Sequence, residues 1–244
     1  MTRAAVEPRV PLMDLLFFLG LALVLGFKHS YDADHLVAVS NLLVRSHDLR
    51  RTVLMSVSWA AGHMLTASGI TVILFVFRES LLRGFLAAFE IIVGVMLVVI
   101  GVIGILWEFR VLQRVGLLHE HPHEHPAGEH AHPHFHLSRF GDHRTMFGIG
   151  VVHGLASNDE LLILLVASFA IATIEGLVAG VVVFSFGVIL GMILFGVGLN
   201  YPMLKWGDAK VRRVVSIVAA ALSIAYGVLL LLGVEGINLI PIGG

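Results

Sequence analysis

The sequence predicts an all-α integral-membrane protein, and three observations support this class. Of 244 residues, 57% are hydrophobic and 14% are charged, whereas a soluble domain has about 25% charged residues. The mean hydropathy is +0.92. The charges lie almost wholly between apolar runs, and a run of about 20 residues is long enough to cross the hydrocarbon as a helix. Water is therefore not the main solvent of this chain.

Six long apolar runs and one shorter, more polar run predict about seven transmembrane segments, one of them short. The first run is not followed by a small-residue cleavage pattern, so we expect it to remain as a span. The long runs cover 10–27, 52–77, 84–109, 145–173, 176–204 and 214–234, and the short run covers 32–44.

The chain divides into three parts by composition. An N-terminal membrane half covers 10–110, a His-rich loop covers 111–143, and a C-terminal membrane half covers 144–235. If the short run crosses the membrane, thirteen Lys and Arg residues lie on one side and three on the other. If the run only re-enters, the counts are twelve and four. Because positive residues mark the cytoplasmic side, both alternatives predict a multi-pass protein of the cell membrane with a cytoplasmic His-rich loop.

An internal repeat appears when the two halves are aligned. His29 and His153 each precede a polar pair after four intervening residues, and Gly62 and Gly187 follow 33 and 34 residues beyond those histidines. Each half then has a polar-headed helix and two further spans. We expect two inverted three-helix repeats plus an N-terminal helix, a plan in which transporters bind substrate at the repeat interface near mid-membrane. Chance similarity between Gly-rich apolar segments is the alternative.

The polar segment 28–35, Lys-His-Ser-Tyr-Asp-Ala-Asp-His, is the first candidate site. Ionisable groups inside a membrane are costly and usually functional. On a straight helix His29, Asp34 and His35 would point about 120° apart, so we expect the backbone to break here and a new helix to begin, with Ser30 or Asp32 as its cap. An interfacial loop with solvated carboxylates would not explain the paired histidines.

Absence of cysteine narrows the chemistry of any metal site. The chain has no Cys, so tight transition-metal binding must use imidazole and carboxylate groups, which suit Ni, Co, Zn and Mn. His63 lies within a long apolar run and is either a ligand or a hydrogen-bonding contact between helices. His153, Asn158 and Asp159 would form a second half-site or gate, or would simply join helices through polar contacts.

The His-rich loop is the second candidate site. Its histidines alternate with Pro and Glu, and it has too few apolar residues to build a core, so we expect a flexible metal-collecting tract. A plain linker is the alternative. The histidines concerned are His119, His121, His123, His125, His130, His132, His134 and His136.

The segment HSYDADHL, residues 29–36, resembles the hallmark motif RHAxDADHI of the nickel/cobalt transporter family. Lys28, Ser30 and Leu36 depart from it. Asn41 also fits the family pattern, and Gly62 with the following histidine resembles the family's Gly-His pair. Residues 153–160 match the family's LGFDTATE segment only loosely. The resemblance spans about residues 12 to 235.

This resemblance implies that His29, Asp34 and His35 bind the metal, and that His63 reaches them from a neighbouring helix. Asp32 joins the candidate metal or gate residues. Ni²⁺ or Co²⁺ would be the transported substrate, with no prosthetic group and no enzymatic activity. The implied partners are the divalent transition-metal ion, the lipid bilayer and a cytoplasmic metallochaperone. We expect no nucleic acid as a partner, because the sequence pI near 6.9 gives no basic excess. Nickel enzymes such as urease or hydrogenase are the implied beneficiaries.

Uptake by a secondary permease is the leading hypothesis from the sequence, and efflux is the first alternative. An intramembrane metal-dependent enzyme is less favoured, because no His-Glu-x-x-His run occurs. A metal sensor that does not transport is the remaining alternative. The sequence leaves open the preferred metal, the coupling ion and the oligomeric state.

Overall fold

Seven helices and one β-hairpin make up the described chain. The computed structural model describes residues 12–77, 83–111, 118–125, 128–135, 143–155 and 174–234. In chain order the elements are α1 (Leu12–His29), α2 (Ala33–Leu43), α3 (Leu49–Phe77), α4 (Arg83–Glu108), β1 (Leu118–His125), β2 (Gly128–Phe135), α5 (His143–His153), α6 (Ile174–Lys205) and α7 (Ala209–Leu231).

The helices have the length and surface of membrane spans. In the described chain, α3, α4, α6 and α7 each contain a stretch apolar and long enough to cross a bilayer, and α1 with α2 forms a fifth candidate that is bent by 57°. Large apolar side chains such as Phe17, Val182 and Leu65 are more than half exposed on the outside, where lipid replaces water as the solvent. The all-α membrane class is therefore confirmed.

The short polar run 32–44 forms α2, the second half of a pair with α1 that is bent by 57°. Phe18 lies against Gly180 of α6, Ser30 lies against Gly191, and the carbonyl oxygen of Leu43 accepts a hydrogen bond from Asn200. The pair α1–α2 thus follows α6 along its length as one broken span. The N-terminal helix α1 accordingly belongs to the first repeat and is not an addition to it.

The two halves run in opposite directions. Trp59 and His63 of α3 lie against Gly150 and Gly154 of α5 in the same order, so α3 and α5 are parallel. In contrast, α3 is antiparallel to α6, because Ser56 contacts Gly196 and Thr52 contacts Asn200. Since α1 is parallel to α6, α1 and α5 point in opposite directions. The expected inverted arrangement of the two halves is present.

Glycines allow the closest contacts of this fold, and they do so in equivalent pairs. A Cβ atom at Gly26 would overlap the carbonyl oxygen of Phe184, and one at Gly150 would overlap the carbonyl oxygen of Trp59. The first contact joins α1 to α6 and the second joins α5 to α3. Because α1 corresponds to α5 and α3 corresponds to α6 in the repeat, the two contacts are equivalent. Small residues permit such close approach of helices in lipid, where dispersion forces must hold them together.

One end of the bundle collects several helix termini. There α2, α4 and α6 end and α3, α5 and α7 begin. We call it the loop end, because residues 112–142 connect α4 to α5 there. The helix α1 begins at the opposite end. The cytoplasmic position of the loop end remains a prediction from the distribution of positive residues.

The His-rich loop has a regular backbone where the sequence led us to expect a flexible tract. Its strands β1 and β2 pair antiparallel, and histidine lies opposite histidine at three register positions: His119 with His134, His121 with His132, and His123 with His130. His125 lies opposite Gly128, and His136 lies outside the described residues. The antiparallel pairing of the two strands supplies the backbone hydrogen bonds of this segment. A sequence in which every second residue is histidine matches the two-residue period of a strand.

Gly150→Ala should destabilise the protein by about 1–3 kcal/mol, because the added methyl group meets backbone and cannot be accommodated by a rotamer change. Gly148→Ala is the matched control in the same helix, since a Cβ there has nothing within 4 Å. Thermal unfolding of both purified variants in the same detergent tests this. Equal stability of the two variants would contradict the close packing of α3 and α5.

Candidate metal centre

Four buried imidazoles meet where the broken span contacts the second half. His29, His35, His63 and His153 are each 0% exposed. The ring of His35 is central, with its centroid 4.6, 4.7 and 4.8 Å from those of His29, His63 and His153. They come from α1, α2, α3 and α5, so four elements converge on one polar centre within an apolar bundle.

The break between α1 and α2 orients the first two histidines. Helix α1 ends at His29 and α2 begins at Ala33. Asp32 occupies the N-cap position, as expected, but its side chain makes no cap hydrogen bond. Its carboxylate instead lies 3.0 Å from Nδ1 of His29. Ser30 does not cap α2 either, because its hydroxyl donates to the carbonyl oxygen of Phe27.

The hydrogen bonds determine which ring nitrogens are available. His35 donates its Nδ1–H to the carbonyl oxygen of His29 over 2.7 Å, since a carbonyl can only accept. With the Nδ1 atoms of His35 and His29 directed at oxygen atoms, their Nε2 atoms carry the lone pairs. A ring N–H held by a carbonyl or carboxylate is the usual support of a metal-binding histidine.

The available nitrogens are close together. Nε2 of His29 lies 3.0 Å from Nε2 of His63, and Nε2 of His35 is buried without a hydrogen-bond partner. Because both atoms are nitrogen, one of them carries the proton that joins the pair in the absence of an ion.

A carboxylate connects the two halves of the protein at this centre. Oδ2 of Asp34 lies 2.9 Å from Nε2 of His153 and 4.0 Å from Nε2 of His35, and Oδ1 accepts the backbone N–H of His35. Two groups of three have ligand atoms within 4.8 Å of one another, His29 with His35 and His63, and Asp34 with His35 and His153. They share His35, so the donors form one continuous cluster.

The structure thus brings together five of the predicted site residues and places Asp32 directly behind them. Asn158 and Asp159 lie outside the described residues. The cluster draws more donors from the first half, because Val188 of α6, the counterpart of His63, is a buried apolar residue.

Trp59 is a site residue that the sequence reasoning missed. Its ring stacks on that of His63 with an interplanar angle of 12° and a centroid distance of 5.0 Å, and it meets His35 and His153 edge-on. The sequence feature that could have indicated Trp59 is its position four residues before His63, because residues four apart share one face of a helix. Phe184, whose ring lies 5.6 Å from His29, covers the cluster from α6.

Fold and site together define a class: a helical membrane protein with two inverted halves and a buried histidine–aspartate cluster between them. The chain is 32% identical over 192 residues to the urease accessory protein UreH of Bacillus sp. (strain TB-90), covering 78% of this chain and 79% of that protein. The chain belongs to the family of this protein, which supports the nickel/cobalt permease family indicated by its motif. No protein-family model and no solved structure matches the chain.

His153→Ala and Asp34→Asn should each lower the stability of the metal-free protein, and their effects should not add. Each substitution weakens the same buried charge-assisted hydrogen bond, which is typically worth about 1.5–3 kcal/mol. A double-mutant cycle by unfolding in detergent measures the coupling. His143→Ala, at the exposed start of α5, is the control and should show no coupling with Asp34→Asn. Fully additive losses for His153 and Asp34 would contradict the bond.

Proposed function

We propose that this protein is a secondary permease that moves Ni²⁺ or Co²⁺ inward across the cell membrane through the buried histidine–aspartate cluster. The main support is the set of donors: ring nitrogens of His29, His35 and His63 lie within 4.8 Å of one another, and His35 also belongs to a second such group with Asp34 and His153. This nitrogen-rich set with one carboxylate suits Ni(II) and Co(II), and it lacks the thiolates that favour Cu(I).

The burial of the cluster suits a carrier in an occluded state. All four imidazoles are inaccessible, so the ion enters and leaves only when helices separate. The contact between Asp34 and His153 crosses from one half to the other. We propose that it breaks and reforms as the halves rock against each other, which is the usual motion of inverted-repeat transporters.

Membrane potential is sufficient to drive uptake. Inward movement of a doubly charged ion is favoured by about 4.6 kcal/mol per 100 mV, or a concentration factor of about 2,000. The name of the relative points to urease, a nickel enzyme. We propose that nickel delivery to such an enzyme is the role of this chain.

The His-rich hairpin is proposed as an auxiliary collector on the cytoplasmic side. Three register positions pair histidine with histidine, and opposed residues of an antiparallel pair have Cα atoms about 4.5–5.5 Å apart. Neutral imidazoles near pH 7 are available as ligands. Ions held there would pass to a metallochaperone or return to the carrier, and the transport pathway would be complete without them.

His29→Ala, Asp34→Ala and His35→Ala should each abolish nickel and cobalt transport, because each removes a donor of the cluster while the apolar spans still insert. Accumulation of radioactive nickel by expressing cells, and by liposomes containing the purified chain, measures this. Competition with cobalt, zinc and manganese gives the metal preference.

His47→Ala is the matched control, since this histidine is exposed and lies between α2 and α3; it should transport normally. Near-normal uptake by any two of the three cluster variants would exclude the cluster as the transport site. Reduced rather than increased metal content in cells that express the native chain would indicate efflux instead.

Deletion of residues 119–136 should leave transport in place, with at most a changed apparent affinity, because no residue of the cluster lies in this segment. Uptake by liposomes containing the deletion variant tests this. A chain with all eight histidines of the segment changed to Ser keeps the loop length and serves as the control. Loss of uptake in both inserted variants would place the hairpin on the transport pathway.

A further inference from the structure

A basic cavity of about 520 Å³ lies at the loop end, away from the metal centre. Its walls come from the segment after α2, the start of α3, the end of α4 and the start of α7. Five arginines and one carboxylate are among the residues that line it. They are Arg45, Arg51, Arg110, Arg212, Arg213 and Glu108.

The charges of this cavity are unbalanced. Arginine stays protonated at any physiological pH, so five cations face one lining carboxylate. The contacts of two of them within the protein are long: Arg212 donates to the carbonyl oxygen of Met203 and Arg213 to that of Glu108, each over 3.5 Å. Both acceptors are uncharged carbonyl groups, so these contacts do not neutralise the two guanidinium groups.

Arg45 gives a second, independent indication of a ligand. It is half-buried, its guanidinium lies 5.3 Å from the ring centre of Trp107, and its Nε is buried without a hydrogen-bond partner. Burial lowers the pKa of Arg45, and the nearby Glu108 opposes this shift. An anion in the cavity would satisfy the Nε–H and offset the cost of burying the cation.

The position of the cavity identifies the anion. Trp107 in its wall is partly exposed, and Tyr201 and Trp206 lie exposed at the same end of the bundle, which marks the level of the lipid head groups. Basic pockets between membrane helices at this level recognise acidic head groups. Guanidinium groups also match phosphate in geometry, through paired N–H donors.

We propose that this cavity binds the phosphate of an acidic phospholipid, such as phosphatidylglycerol or cardiolipin. The bound head group contacts the ends of α2, α4 and α7 together. Because α2 begins with Asp34 and His35 at the metal centre, the lipid stabilises the helix that carries two of its donors. This role does not depend on which ion is transported or in which direction.

The purified full-length protein, stripped of lipid in a neutral detergent, provides the test. Phosphatidylglycerol should raise the unfolding temperature in a saturable way, and phosphatidylcholine should not. Arg110→Gln/Arg213→Gln changes two exposed arginines of the cavity and should weaken the apparent phosphatidylglycerol affinity about thirtyfold, since each arginine near a membrane surface contributes about a fivefold factor.

Arg50→Gln/Lys210→Gln removes two exposed positive charges at the same end that do not line the cavity, and it should bind the lipid as the native chain does. If both double variants lose the same phosphatidylglycerol affinity, the lipid binds only through general charge attraction, and the proposal is overturned. Equal stabilisation by phosphatidylcholine would overturn it too, as would full replacement of the lipid effect by inorganic phosphate. If the double cavity variant does not fold, the phosphatidylglycerol affinity of Arg212→Gln is compared with that of the native chain instead.

Discussion

Four fully buried imidazoles and one half-buried carboxylate meet at the centre of an apolar bundle, and their need for polar partners governs how the helices are arranged. An unpaired polar group costs several kcal/mol in hydrocarbon. Asp34 is compensated by His153, His29 by Asp32, and His35 by the carbonyl oxygen of His29. That carbonyl group also accepts the backbone N–H of Asp32, in the turn where α1 ends. The break in the helix lets the ring of His35 reach back to this oxygen, which lies six residues earlier in the chain.

The same constraint explains why two inverted halves are needed. The first half supplies most of the donors, but the carboxylate of Asp34 finds its closest imidazole partner in His153 of the second. Close helix contacts at Gly26, Gly150 and their partners bring these groups within reach, because a Cβ at either position would push the helices apart. The position equivalent to His63 is Val188. The two halves therefore have equivalent helix arrangements, but only the first half has a histidine at this position.

Two regions at the loop end lie apart from the buried cluster and have different chemistry. The hairpin presents paired histidines at alternate register positions, whereas the cavity between α2, α4 and α7 presents arginines. Histidine that is neutral near pH 7 suits metal ions, and arginine suits phosphate. The cavity lies at the end of α2 that is away from the metal centre. It also connects the membrane environment to α2, which extends from the cavity to the metal centre.

The sequence by itself determined the membrane class, the polar motif at 28–35, the break within it and the pairing of His29 with His153 as repeat equivalents. These are local or periodic properties: hydrophobic length, the 100° turn of a helix and residue spacing. It did not determine that α1 and α2 form one span. Hydropathy identifies apolar runs, but it carries no information on contacts between them, such as the hydrogen bond from Asn200 to the carbonyl oxygen of Leu43. Nor did it reveal Trp59 at the site or five arginines around one cavity. Such relations depend on how helices rotate against each other, and the contact between Asp34 and His153, 119 residues apart in the chain, is decided only when the whole bundle packs.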